Sequence, residues 1–265
     1  MSVWSCLVTG LKHLQWFSLV GTAFWTVLPL AFNIAYYLYF YLVIQPSNPK
    51  FFLIFDFVNI VPRTGLFALT PVSLYLVSSK GAASDLLFAK NLAPPCKPGL
   101  LVAAALSWLM ATIFNFLQLS YINDVLISLA VVEVVLVYVY LLGMATVTGC
   151  LVATFNKECQ AIAALDIDKR LEAVRRFVFK FRGLKTGLQL CLLNVFTTNT
   201  VLVIMSAYEL SQRLTPNCIF VDDIVTPRNL YLVCFLASNL LLLVYYAAVM
   251  DSCYQSFQGL AQVLR

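Results

Sequence analysis

Reactive side chains are scarce in this 265-residue sequence, and their types narrow the chemistry before any element is placed. His13 is the only histidine, so histidine-ligated metals and Ser-His or Cys-His nucleophilic catalysis have almost nothing to work with. The cysteines Cys6, Cys96, Cys150, Cys159, Cys191, Cys218, Cys234 and Cys253 lack C-x-x-C spacing, which points to free thiols and not to a zinc site or disulfide scaffold. Cys150, Cys159 and Cys253, near one membrane face, are weak candidates for acylation. There is no G-x-x-x-x-G-K-[ST] phosphate loop and no G-x-S-x-G elbow. Two carboxylates stand in or beside apolar runs, Glu133 and Asp251, but at different depths, which argues against a catalytic dyad. No catalytic residue, metal ligand or cofactor is assigned, and an enzyme is not expected.

What remains is hydrogen bonding inside apolar sequence. Polar groups in membrane helices are expensive and tend to face the bundle interior or mark function. Asn115, Gln118, Tyr121, Glu133, Asn199, Tyr208 and Asn239 interrupt long apolar runs and form the candidate ligand-binding set, with Asn59 beside them and Trp108 and Phe114 near mid-depth. An apolar cleft with a few convergent polar groups suits a small organic ligand. The plainer role is open for each: Tyr and Trp, including Tyr36, Tyr37 and Tyr41, populate membrane interfaces, and Asn or Gln glue helices together at about 0.6 kcal/mol per hydrogen bond. Glu133, flanked by VV and VVLVYVY, is the strongest single candidate, because an ionisable group there is not expected to face lipid.

The elements that must position these groups are membrane helices. Hydrophobic residues make up 62% of the chain and mean hydropathy is +0.88, well above soluble usage. Crossing the hydrocarbon core takes about 20 apolar residues, and six stretches qualify: about 17–44, 57–79, 100–122, 125–155, 184–210 and 229–250. The second is the least regular, holding Pro62, Arg63 and Pro71, with Arg63 near enough to its end to snorkel. The third and fourth are joined at Asn123-Asp124. The fold expected is therefore all-α, one polytopic helix bundle over 1–265.

Charge sets the orientation. With the N-terminus inside, Lys12, Lys80, Lys90, Lys97, Lys157, Lys169, Arg170, Arg175, Arg176, Lys180, Arg182, Lys185 and Arg265 are cytoplasmic, and only Lys50, Arg63, Arg213 and Arg228 fall outside. Cationic loops stay in the cytoplasm, so both termini are placed there. The net charge of +5 is thereby accounted for by loops, and no nucleic-acid partner is expected. Within the cytoplasmic segment 156–183 and its exit, seven of these cations crowd into residues 168–185: Lys169, Arg170, Arg175, Arg176, Lys180, Arg182 and Lys185. At 100° per residue Leu171, Val174, Phe177, Val178, Phe181, Leu184 and Leu188 share one arc of roughly 140° opposite most of the charge, with Phe179 off it. An amphipathic basic helix is expected, either beside anionic headgroups or packed on neighbouring helices below the membrane.

Three passages carry a resemblance. The fourth span leads into LVATFNKECQAIAALDIDKR (151–170), the basic helix continues as LKTGLQLCLLNVFTTNTVLVIMSAYEL (184–210), and the chain closes with LVYYAAVMDSCYQSFQGLAQVLR (243–265). This layout resembles the insect gustatory and odorant receptor superfamily, whose members have seven helices, a cytoplasmic N-terminus, a ligand cavity in the outer half of the bundle and packed inner helix ends. The resemblance implies a plasma-membrane, taste-type receptor subunit of the ligand-gated cation channel kind, with a small tastant or odorant as partner and a homo- or hetero-oligomer, a tetramer in the family. The family's seventh helix, with its Thr-Tyr and Gln-Phe signature, is not found before Arg265, so no pore residue is carried over and the subunit is not expected to conduct alone. A six-span solute transporter and a membrane scaffold or interaction protein are the alternatives.

Overall fold

A computed structural model describes residues 9–10, 18–39, 63–72, 75, 93–119, 124–182, 184–214 and 226–263, and every regular element among them is an α-helix. In chain order these are α1 (Leu19–Tyr39), α2 (63–72), α3 (Pro98–Leu119), α4 (Asp124–Ala163), α5 (Ile167–Arg182), α6 (Leu184–Leu214) and α7 (Pro227–Val263). Three are long and apolar enough to cross a membrane, over Pro98–Leu117, Val135–Ala163 and Pro227–Val263, and Leu19–Ala35 is a shorter apolar helix. These three correspond to the expected third, fourth and sixth spans. The first, second and fifth fall on α1, α2 and α6, and Asn123 lies outside the described residues.

Local chemistry sets the helix starts. Ser18 caps α1, its hydroxyl accepting from the Gly21 amide at 2.9 Å. Thr226 does the same for α7, accepting from the Asn229 amide at 3.3 Å, while Pro227 fills the first helical position, where no amide is needed. Pro98 plays that part for α3, preceded by Lys97 in the left-handed region at φ 49°. Pro71 is accommodated inside α2, where it is buried.

The register follows from three levels of contact. Tyr138 of α4 and Ser238 of α7 both reach the Ala104 carbonyl of α3. Further along, Tyr245 donates to the Ala145 carbonyl at 3.0 Å. Beyond that, Asn156 donates to Ser252 at 2.8 Å, and the Cys96 amide donates to the Gly149 carbonyl at 3.4 Å. Helix α3 therefore runs antiparallel to α4 and α7, which run side by side. Small residues, Ala104, Ala145 and Gly149, occupy these contacts and let the backbones approach.

Helix α4 is the centre. Most side chains from Val137 to Val152 are buried, as an all-round apolar helix must be. On α3 the pattern is two-faced: Val102, Leu106, Leu109, Ile113 and Phe116 are exposed at spacings of four, three, four and three, whereas Leu101, Ala104, Ala111 and Asn115 are buried. Large apolar groups outside and small or polar groups inside is the arrangement for a helix in lipid.

The inner segment is more structured than a loop. α4 continues for eight residues beyond the expected span end at 155, turns at 164–166, and α5 climbs back beside it. Phe177 meets Phe155 with ring centroids 5.1 Å apart, and Cys159, Ile162, Phe177 and Leu260 form a second small core with Phe155, Ala173 and Val174 around it. The ends of α4 and α7 and the whole of α5 thus make a three-helix cluster.

Candidate functional site

The interior holds hydrogen-bonding groups at three depths. The first surrounds α2, which is wedged among its neighbours with Leu66 and Phe67 fully buried. Asn33 of α1 donates to the Thr64 hydroxyl at 3.3 Å, and Asn194 of α6 donates to the Thr70 hydroxyl at 3.4 Å. The Asn194 side-chain oxygen also lies beside Gly65, 3.7 Å from where a Cβ would stand, an ordinary contact distance. Phe67 packs edge-on against Tyr140, whose hydroxyl donates to the Trp25 carbonyl of α1. One amide on each of α1 and α6 therefore pins α2 in place.

Halfway along α6 the pattern changes. Asn199 is fully enclosed, and neither its amide nitrogen nor its oxygen has a hydrogen-bond partner among the described residues; the adjacent Thr200 hydroxyl is in the same condition. An unpaired buried polar group costs about 1–3 kcal/mol. Such an atom is a place where a water or a ligand adds binding energy without displacing an existing bond.

The middle level joins three helices. The Tyr138 and Ser238 hydroxyls stand within hydrogen-bond reach of each other and of the Ala104 carbonyl, Ser238 at 3.1 Å from it; with one proton each, they fill two of these three contacts at a time. The Trp108 ring stacks on Tyr138 at a centroid distance of 3.7 Å, and its indole nitrogen is buried without a partner among the described residues. Asn239, one residue beyond Ser238, is fully buried; its nitrogen donates to the Phe235 carbonyl at 2.8 Å while its oxygen has no partner among the described residues.

Of the residues predicted from sequence, Asn115, Asn199 and Asn239 are buried and Tyr208 is largely exposed on α6. Gln118 lies on α3 and Glu133 on α4 with side chains outside the described set, and Tyr121 and Asn59 lie outside the described residues. The register separates Asn115 from Ala104 by eleven residues, about 16 Å along the helix, so Asn115 and Asn239 stand at different depths. Tyr138, Ser238, Asn33 and Asn194 were not singled out from sequence. Tyr138 hides in VVLVYVY as one more aromatic, and its depth relative to Ser238 depends on a register between helices a hundred residues apart.

The end of the bundle near Gly149 and Asn156 gathers thiols. Cys96 sits against Gly149, Asn156 and Ser252, and burial pushes its thiol above its ordinary value despite the hydrogen bond with Ser252. Cys150 and Cys159 are buried, which removes them as acylation candidates, and Cys253 is half-buried. Among the described residues no group of His, Cys, Asp or Glu is arranged to hold a metal ion.

The basic helix divides by role. Arg170 reaches the carbonyls of Val263 at 3.0 Å, Leu165 at 2.8 Å and Ala163 at 3.3 Å, tying together the C-terminal ends of α4 and α7, where a cation is favoured by the helix dipole. Arg176 pairs with Glu172 one turn away on the exposed surface. Lys169 and Arg175 are exposed, and the side chains of Lys180, Arg182 and Lys185 lie outside the described set. The apolar stripe is only partly used. Phe177 is 6% exposed, but Leu171 and Val178 are 61% and 56% exposed and Phe179 83%.

Taken together, the interior can accept and donate hydrogen bonds in an apolar setting, through amides, hydroxyls and an indole. Compared with known proteins, the chain matches no family model, no curated protein and no solved structure.

Proposed function

We propose that the chain is a multi-pass plasma-membrane receptor subunit of the insect chemoreceptor type, with six spans and both termini in the cytoplasm, which binds a small organic molecule within its helix bundle. The single observation that supports a binding role is Asn199: a fully enclosed amide, unpaired at both polar atoms among the described residues, halfway along an apolar helix. A residue kept only as helix glue makes its bonds to the neighbouring helix, as Asn194 does with Thr70. A residue kept for a ligand leaves them open. Gating follows if the ligand prefers the open packing of the bundle to the closed one, since only differential affinity shifts the population. Cation flow then belongs to an oligomer assembled with seven-helix members of the family.

The test is co-expression with a seven-helix family member while a panel of small polar organics is applied and membrane current is recorded. The expected outcome is a ligand-evoked cation current, and Asn199→Leu raising the half-activating concentration about tenfold, the loss of one good hydrogen bond, at unchanged surface level. Solute accumulation by the chain alone, without current, favours the transporter instead.

A further inference from the structure

The outward side of α5 is a cationic and apolar strip that the protein's own packing leaves bare. Leu171, Arg175, Val178 and Phe179 fall within an arc of about 100° when the helix is counted at 100° per residue, and all four are exposed. The opposite side of the helix, through Ala173, Val174 and Phe177, is the one that packs on α4 and α7. Arg175 makes no ion pair among the described residues, unlike Arg176, which is held by Glu172.

Two observations say what covers the strip. The helix that follows, α6, turns large apolar side chains outward: Leu193, Phe196 and Ile204 are exposed at 67%, 53% and 59%. Large apolar groups on the outside of a membrane helix are covered by lipid. Depth agrees. The Phe177 ring lies level with Phe155, at the end of the fourth span, so Phe179 stands about 3 Å toward the bilayer, Arg175 about 3 Å away from it and Leu171 about 9 Å away, at 1.5 Å per residue. The headgroup zone on each side of the hydrocarbon is about 5–8 Å deep.

We propose that this strip binds anionic phospholipid headgroups of the leaflet it meets, with Phe179 and Val178 set among the upper acyl chains and Arg175 on the phosphate and carboxylate of the lipid. The inference rests on the membrane placement of the spans and not on the receptor reading. An arginine at an anionic surface strengthens binding about fivefold, so lipid charge holds α5, and through the small core around Phe177 the inner ends of α4 and α7, in one arrangement.

The test uses the full chain in nanodiscs of phosphatidylcholine mixed with phosphatidylserine, carrying Phe179→p-benzoylphenylalanine, with photo-adducts identified by mass spectrometry. Leu109→p-benzoylphenylalanine, on the exposed stripe of α3, is the control for membrane placement. Enrichment of phosphatidylserine over its bulk share at position 179, lowered about fivefold by Arg175→Gln and left alone by Arg176→Gln, is the expected result. Capture of the two lipids in bulk proportion overturns the headgroup assignment. A lipid adduct at 109 with none at 179, or a cross-link from 179 to a second copy of the chain, overturns the strip as a lipid surface while leaving the spans standing. Failure to capture lipid at either position overturns both.

Discussion

Gly149 shows how much a single atom decides in a closely packed membrane interior. A Cβ there would fall inside the Tyr245 hydroxyl and 2.8 Å from the Pro95 Cβ. By propensity alone Gly149→Ala gains about 1 kcal/mol of helix stability, but overpacking costs about 1–3 kcal/mol, and Tyr245 is fixed by its bond to the Ala145 carbonyl. The clash wins. Thermal unfolding in detergent should show a lower midpoint for Gly149→Ala. The Tyr138–Ser238 pair is gentler: Tyr138→Phe removes one hydroxyl while Ser238 keeps the Ala104 carbonyl. A loss of about 0.6 kcal/mol, at most about 1.7, is expected, and a double-mutant cycle with Ser238→Ala should return a coupling of that size. Asn199 was legible in the sequence because an amide amid LLNVFTTNTVLVIM is conspicuous whatever the fold. Tyr138 was not, because aromatic and apolar neighbours conceal a hydroxyl whose importance comes from a distant partner.

At the scale of elements, α5 separates what periodicity can and cannot say. Its amphipathic character was legible, yet the packed side is turned from the expected stripe toward Ala173 and Arg170, leaving Leu171 and Val178 outside. Counting apolar residues undervalues a small Ala and an Arg whose head bonds to carbonyls, and the partner surface chooses which part of a broad arc is buried. The cations of this helix should therefore differ sharply on substitution. Phe177→Ala, emptying the small core, is expected to cost about 3–5 kcal/mol within the three-helix cluster. Arg170→Gln leaves the carbonyls at the ends of α4 and α7 without their shared cation, about 1.5–3 kcal/mol for hydrogen bonds to a charged group. Arg176→Gln breaks only an exposed pair, within about 0.5 kcal/mol. Amide exchange over 164–182 reads the order directly: fastest for Phe177→Ala, intermediate for Arg170→Gln, unchanged for Arg176→Gln. Equal acceleration by all three would mean that the cluster is held by net charge and not by packing and capping.

For the whole molecule, hydropathy and helix length are different quantities, and their difference shapes the inner side. α4 is 40 residues long, about 60 Å, and α7 is 37, about 55 Å, against a hydrocarbon core of about 30 Å. Lys157, Glu158 and Gln160 end the apolar run of α4 without ending its helix, so an overhang reads as a loop in the sequence. The overhangs give α5 something to pack on, and they fix which side of the bilayer the cluster occupies once the cationic excess is placed in the cytoplasm. The orientation then makes a paired prediction. An epitope tag in the turn at Leu165, between α4 and α5, should be silent in intact cells and stain after permeabilisation, whereas a tag at Asn217 should stain without it. The pair is informative because one odd number of spans lies between the two positions, α6 alone, so opposite sides are required of any topology in which α6 crosses. Staining of Leu165 in intact cells with Asn217 silent would invert the protein and place α5 outside. Equal staining of both would remove α6 from the membrane, and with it the premise that Asn199 sits within a bilayer-embedded interior.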